Sequence, residues 1–346
     1  MNPFIQIGKR KIGNNYPPFV IAEVGINHEG DMNKAKKMIA DAHASGAECV
    51  KFQVHVIEDE MILAAKKVIP GHTKESIWKI MERCALTESE DRELKQLVES
   101  LGMIYLSTPF SRAAANRLHA MDVEAYKIGS GECNNYPLIE HIASFKKPII
   151  MSTGMNDLQS IKIAVDIIEK NNIPYAILHC TSLYPTPYDK VRLGALREIK
   201  DAFPSAVIGL SDHSLGNYTC FGAISLGASI LEKHFTSDKA WPGPDVSISI
   251  DPKELYELID GSRAIHMALG GSKNILPEEK PTIDFAYACV VTIKNIRKGE
   301  KFTHENIWVK RPGTGEIKAV EYNSIIGKTA SNDIPNDTQL TYNDIT

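Results

Sequence analysis

Between residues 19 and 234 a short, apolar, β-rich run gives way eight times to a longer stretch, most of them patterned for a helix. The runs fall at 19–24, 49–54, 103–107, 125–128, 148–152, 176–179, 206–210 and 230–234, and their length and composition predict strands. Helical periodicity marks 33–44, 89–101, 111–120, 159–170, 218–226 and 253–269. Alternation of this kind builds parallel β-α units, and eight of them predict an α/β fold closed as a (β/α)8 TIM barrel. A doubly wound open sheet shows the same alternation, but no G-x-G-x-x-G follows the first run.

The barrel is expected to occupy residues 1–270. Residues 1–18 hold a short hairpin that plugs or caps one end, and the long stretch 56–84 forms a loop over a mouth. Gly270, Gly271 and Pro277 to Pro281 announce a linker at 271–285, and residues 286–346 change character. There IRKGEKFTHENI (296–307) is echoed by IPNDTQLTYNDI (334–345), with apolar, turn, Thr and Asn/Asp positions in register. Two copies predict a small pseudo-symmetric β-rich domain, since solenoids need at least three.

The balance of 43% hydrophobic and 24% charged residues belongs to a globular chain with a substantial core. Acidic residues outnumber basic ones by four, and no basic patch interleaved with aromatics offers a footprint for nucleic acid. The six cysteines are scattered without a C-x-x-C pair and read as reduced core thiols. With neither a signal-like N-terminus nor a long apolar span, no membrane is expected, and the cytoplasm is the expected location.

Barrel active sites lie at the C-terminal ends of the strands. Those ends supply Glu23; Lys51 and Gln53; Ser107 and Thr108; Lys127, Ser130 and Glu132; Ser152 and Thr153; Tyr184; Ser211 and His213; and His234. Each alone has an ordinary explanation, because polar residues often cap a strand or satisfy a loop amide. Two lysines and two glutamates in otherwise apolar segments are costly if buried unpaired, which points to one shared polar pocket. Lys51 and Lys127, with Ser130, Ser152, Ser211 and the amides of 129–131, suit a phosphate and a carboxylate. A Schiff-base lysine is the competing reading. His213 and His234 follow neighbouring strands and could meet on one divalent cation, with Glu132 nearby directly or through water. Mn²⁺ suits such a site best, with Mg²⁺ or Co²⁺ as alternatives; each imidazole could instead be hydrogen-bonded within the barrel. His28, His43, His55 and His119 read as structural or surface residues.

The motifs IAEVGINHEG (21–30), KFQ (51–53), IMERCAL (80–86), STPF (107–110), YKIGSGECNN (126–135), STGM (152–155), LHCT (178–181), YPTP (184–187), GLSDH (209–213) and LEKHFT (231–236) span the barrel. On them the chain resembles the sialic acid synthase family, and among its members the bacterial N-acetylneuraminate synthases. Residues 286–346 resemble that family's antifreeze-like (SAF) domain, with KRPG at 310–313. The resemblance implies condensation of phosphoenolpyruvate with N-acetylmannosamine and water, releasing phosphate. It implies the metal on His213 and His234 and phosphoenolpyruvate on Lys51, Thr108, Lys127, Ser130, Ser152 and Ser211. The amino sugar would lie against Glu23, Gln53, Tyr184 and Asp245, with His72 and Ser182 standing where relatives carry asparagine. Glu132 would orient or deprotonate the attacking water. A homodimer with swapped C-terminal domains is implied, in which Arg311 and Phe285 close the partner's site. A legionaminic or pseudaminic acid synthase and a Schiff-base lyase are the rival enzymes. An ice-binding role is opposed by the charges Lys298, Glu300, Lys301, Lys310, Arg311 and Glu316.

Overall fold

In the computed structural model, which describes residues 2–71 and 73–346, the alternation becomes one ring of parallel strands. A hairpin of β1 (Phe4–Ile7) and β2 (Arg10–Gly13) precedes it. The ring consists of β3 (Phe19–Gly25), β4 (Cys49–Val54), β5 (Ile104–Pro109), β6 (Tyr126–Ile128), β7 (Ile149–Ser152), β8 (Tyr175–Cys180), β9 (Val207–Asp212) and β10 (Ile230–His234). The ladder runs β5-β4-β3-β10-β9-β8-β7-β6, and its two end strands pack against each other, so the sheet closes. Sequential neighbours pair in parallel, as short β-α connections require.

Helices 32–44, 88–100, 112–120, 158–170, 218–225 and 252–268 lie where periodicity placed them, to within a residue or so at each end. Their starts are chemically marked: Thr87, Asp157 and Asp251 each accept the amide of the residue three positions on, and that residue's side chain reaches back. Two further helices, Tyr136–Ala143 and Ala195–Ala202, were not singled out from sequence; at eight residues each they are too short for a clear period. Segment 56–84 is not a bare loop, because it folds into short helical pieces ending in Ile77–Cys84.

The barrel's interior explains the hairpin. Ile5, Ile7 and Ile12 are buried among Phe19, Leu106, Ile150, Val207 and Ile230, residues at the N-terminal ends of the strands. The hairpin therefore plugs the mouth opposite the functional residues, each buried isoleucine contributing roughly 1.5–3 kcal/mol. All six cysteines are buried and free of disulfides. Among the described residues no helix is long and apolar enough to cross a membrane.

The chain divides into compact units 1–270 and 271–346. The second begins with a helix, Lys280–Ala286, and pairs β11 (Cys289–Thr292) with β12 (Ile307–Lys310). The internal repeat is a structural one. Ile296 and Ile334 exchange backbone hydrogen bonds at 2.9 and 2.7 Å, and Phe302 and Leu340 fill equivalent core positions. Gly299 and Asp337 both hold positive φ, and the amides of Thr303 and Thr341 donate to Asn306 and Asp344 at 2.7 and 2.8 Å.

Candidate active site

Strand register assembles the site. Glu23 on β3 lies opposite Lys51 on β4 and His234 on β10, while Glu232, two residues before His234 and on the same face, lies opposite Ser211 on β9. These residues border a cavity of ≈ 300 Å³ at the C-terminal mouth, which Gln53, Thr108, Lys127, Ser130, Ser152, Ser182, Tyr184 and His213 also line. Gly154 has to be glycine there: its amide donates to Ser130 Oγ at 2.9 Å, and a Cβ would collide with the Ser182 hydroxyl.

The charges are held at close range. Lys51 Nζ lies 2.8 Å from Glu23 Oε2, 3.2 Å from Thr108 Oγ1 and 3.8 Å from Glu232 Oε1. Lys127 Nζ donates to Ser152 Oγ at 2.6 Å and sits 3.5 Å from Glu232 Oε1, which accepts the Ser211 hydroxyl at 3.1 Å. Gln53 donates to Glu23 Oε1 at 2.9 Å. The environments push the two glutamates in opposite directions. Burial favours protonating Glu232, but Lys127 and Lys51 outweigh it and hold its pKa below the ordinary value. Burial raises Glu23, and the neighbouring Glu232 adds to the rise against the pull of Lys51. Burial lowers Lys127, while on Lys51 it is outweighed by Glu23 and Glu232. A carboxylate kept ionised beside one inclined to hold a proton is a division of labour for proton transfer.

Beside these groups stand the two histidines, their ring centroids 5.4 Å apart, with Tyr184 stacked on His213 at 4.3 Å. His213 Nδ1 meets the Thr181 carbonyl at 3.0 Å, leaving Nε2 free of that contact. His234 Nδ1 is buried without a hydrogen-bond partner, Asp245 Oδ2 being 3.7 Å away. Burial, then the cationic neighbours, lower the His234 pKa well below the ordinary value and keep it a neutral donor. On His213 burial acts the same way, but Cys180 Sγ at 3.8 Å and the Thr181 carbonyl outweigh it and raise the pKa to about 9. Among the described residues no three His, Cys, Asp or Glu side chains form a ready metal cage. A pair of imidazoles with an orphaned nitrogen still fits an open site, in which water and substrate oxygens supply the remaining ligands.

Several sequence-selected residues lie elsewhere. Glu132 is half-buried, binds the Asn135 amide at 2.5 Å and lines a neighbouring cavity with Asp59, Glu60 and His141, separated from the first by Phe110. Asp245 borders a third compartment. Phe285 and Arg311 belong to the C-terminal unit, where the guanidinium lies 5.8 Å from the Phe285 ring centre. His72 lies outside the described residues. His55, read from sequence as ordinary, bridges Glu60 at 2.8 Å and Gln53 at 3.1 Å and stacks on Phe110 at 4.6 Å. Glu232 was missed altogether. Its two-residue offset from His234 was the available signal.

Fold and site together define a (β/α)8-barrel enzyme with a buried, lysine-rich cavity for a small anionic substrate, carrying a SAF domain that matches residues 287–346. The NeuB family model matches residues 38–274, and the chain belongs to that family. It is 38% identical to the N,N'-diacetyllegionaminic acid synthase of Campylobacter jejuni, over 92% of this chain and 97% of that one. It is 34% identical to human N-acetylneuraminate-9-phosphate synthase, over 87% and 85%. The sialic acid synthetase of Leptospira borgpetersenii, solved with citrate, superposes with a TM-score of 0.75 at 33% identity, covering 82% of this chain and 96% of that one.

Proposed function

We propose that the chain condenses phosphoenolpyruvate with the open-chain aldehyde of an N-acetylated amino hexose and with water, giving a nine-carbon 2-keto sugar acid of the sialic acid type and inorganic phosphate. The observation that carries this is the pair of buried lysines facing Glu23 and Glu232 beside two histidines. Lys51 and Lys127, with the Ser130, Ser152 and Ser211 hydroxyls and Thr108, hold the phosphate and carboxylate of phosphoenolpyruvate. A divalent cation on His213 and His234, Mn²⁺ first among candidates, would supply Lewis-acid polarisation of the aldehyde. C3 of phosphoenolpyruvate bonds to the aldehyde carbon, whose oxygen takes a proton; Glu23, with its raised proton affinity, is placed to give it. Water adds at C2 and the C2–O bond to phosphate breaks. The sequence points to Glu132 for the water's proton, but Glu132 lines the neighbouring cavity beyond Phe110. Glu23, left as a carboxylate by the first step, is placed to take that proton, and full activity of Glu132→Gln would support this while its loss would return the role to Glu132.

The test of the reaction is incubation with phosphoenolpyruvate, N-acetylmannosamine and Mn²⁺, with and without EDTA, following phosphate release and identifying the product by mass. Metal-dependent N-acetylneuraminate supports the reading. Turnover confined to a diacetamido-trideoxy hexose moves the chain to the legionaminic or pseudaminic branch. Lys127, depressed by burial, also suits a Schiff-base lyase; borohydride trapping with pyruvate and indifference to EDTA would favour that second reading. Closure of the site by Arg311 and Phe285 from a partner in a homodimer is part of the proposal. It predicts restored activity when Arg311→Ala and Lys127→Ala chains are mixed.

A further inference from the structure

β9 and β10 run side by side as far as the rung that pairs Asp212 with Lys233. His213 follows that rung on one strand and His234 on the other, so the two imidazoles stand where the β9–β10 ladder ends. Side chains alternate along a strand: Ser211, His213, Glu232 and His234 line the catalytic cavity, and Asp212 and Lys233 between them turn to the outer face, toward the helix 218–225. There they form an ion pair at 2.7 Å, sealed from solvent with side chains 1% and 0% exposed. Asp212 also accepts the Ser214 amide at 3.0 Å, the Ser214 hydroxyl at 2.9 Å and the Thr219 hydroxyl at 2.7 Å. Lys233 donates in addition to the Ser214 carbonyl. The residues on both sides of His213 and the residue before His234 are thereby tied into one buried cluster, none of which the reaction proposed above uses.

A buried ion pair is a poor device for stability, because desolvation offsets its Coulomb energy and apolar residues of similar volume would serve as well. What its directional bonds add is a fixed geometry, and the imidazoles need one. Their ring centroids are 5.4 Å apart. His234 Nδ1 has no hydrogen-bond partner among the described residues, so its ring takes its position from packing and from the backbone that carries it. One step back along the strands, Ser211 and Glu232 are already joined by their own hydrogen bond at 3.1 Å. We infer that Asp212 and Lys233 are positioning residues for a divalent cation: their bond locks the last rung of β9 and β10 and sets the spacing at which His213 and His234 are offered to the ion. The inference rests on the cation proposed above and gives it an outer support made from this chain's own residues. Loss of such outer partners typically weakens metal binding about 10- to 100-fold.

The experiment titrates Mn²⁺ into the metal-stripped full chain without substrates and reads free Mn²⁺ from the EPR signal of the hydrated ion. The parent is expected to bind Mn²⁺ and His234→Ala to lose it; a parent that binds none, or undiminished binding by His234→Ala, takes down the cation and the inference together. Asp212→Asn keeps the side chain's size but breaks the ion pair. It should bind Mn²⁺ about 10- to 100-fold more weakly, while phosphoenolpyruvate added with EDTA raises its thermal melt as much as the parent's. The double variant Asp212→Asn/Lys233→Met removes the unpaired ammonium as well, and should regain thermal stability without regaining Mn²⁺ affinity. Thr219→Val takes away one donor to Asp212 and leaves the pair, and should bind Mn²⁺ as the parent does. Parental Mn²⁺ affinity in a folded Asp212→Asn or double variant, a weakening as large in Thr219→Val, or an equal loss of phosphoenolpyruvate binding overturns the inference and leaves the cation standing.

Discussion

Replacing Glu232 by glutamine removes the carboxylate that, among the described residues, lies within 4 Å of both lysines, while keeping the side chain's volume and an acceptor for the Ser211 hydroxyl. Its oxygen is 3.5 Å from Lys127 and 3.8 Å from Lys51. At an effective dielectric of about 20, each contact corresponds to about 4–5 kcal/mol of Coulomb energy, much of it offset by desolvation. Lys51 retains Glu23 at 2.8 Å, whereas the other contacts of Lys127 among the described residues are neutral, Ser152 Oγ and the Ile128 carbonyl. Leaving a buried charge without its partner costs about 3–5 kcal/mol. Because Lys51 stays paired, the lower figure is expected for Glu232→Gln, read from urea unfolding of the ligand-free chain. Phosphoenolpyruvate replaces the missing negative charge and should stabilise the variant more than the parent. The pH dependence has a definite sign: the folded pKa of Glu232 is depressed, so its contribution is present above about 4.5 and lost as pH falls through the folded value. Parent and variant should converge below that point. A loss under about 1 kcal/mol at neutral pH, or equal stabilisation by phosphoenolpyruvate, would refute the assignment of Glu232 as the lysines' counter-charge.

Other parts of the structure lead to further expectations. His28 is buried and accepts the Gly30 amide at 3.0 Å, and burial, reinforced by His55, lowers its pKa from 6.5 to about 4. Its stabilisation is full above 6.5 and lost as pH falls through about 4, a total of roughly 3 kcal/mol; His28→Gln should flatten the stability profile across that window, and an unchanged profile would contradict the burial argument. His55→Phe keeps a ring against Phe110 but cuts the bonds to Gln53 and Glu60, so the KM for the amino sugar should rise about 10-fold with that for phosphoenolpyruvate unchanged. Parallel loss for both substrates would mean His55 is merely structural. Ile12→Ala empties part of the plug and should cost about 2–5 kcal/mol in urea unfolding without altering the substrate KM values, since the plug lies at the opposite mouth.

Much of this architecture is legible in the chain because it is local. Apolar runs of strand length alternating with helical periods specify β-α units, and a Thr or Asp three residues ahead of a Glu marks where the helices 88–100 and 252–268 begin. The repeat of 296–307 in 334–345 keeps Phe302 aligned with Leu340 and Gly299 with Asp337, so the doubled C-terminal unit is readable without coordinates. Lys51, Lys127, Ser152, Ser211, His213 and His234 were found because barrel chemistry gathers at strand ends.

What only the tertiary structure decided is which of these groups meet. Glu232 sits between lysines of β4 and β6 because the ring closes and the β9–β10 register sets it opposite Ser211. Lys127 lies on β6 and Glu132 closely follows that strand, yet the short turn after it carries Glu132 past Phe110 into a neighbouring cavity. The third compartment, which Asp245 borders, exists because the Ile77–Cys84 helix packs against Ile26. Periodicity fixes the face on which a side chain lies. Its partner is fixed by strand order, closure and loop path, which are long-range properties that no short stretch of sequence contains.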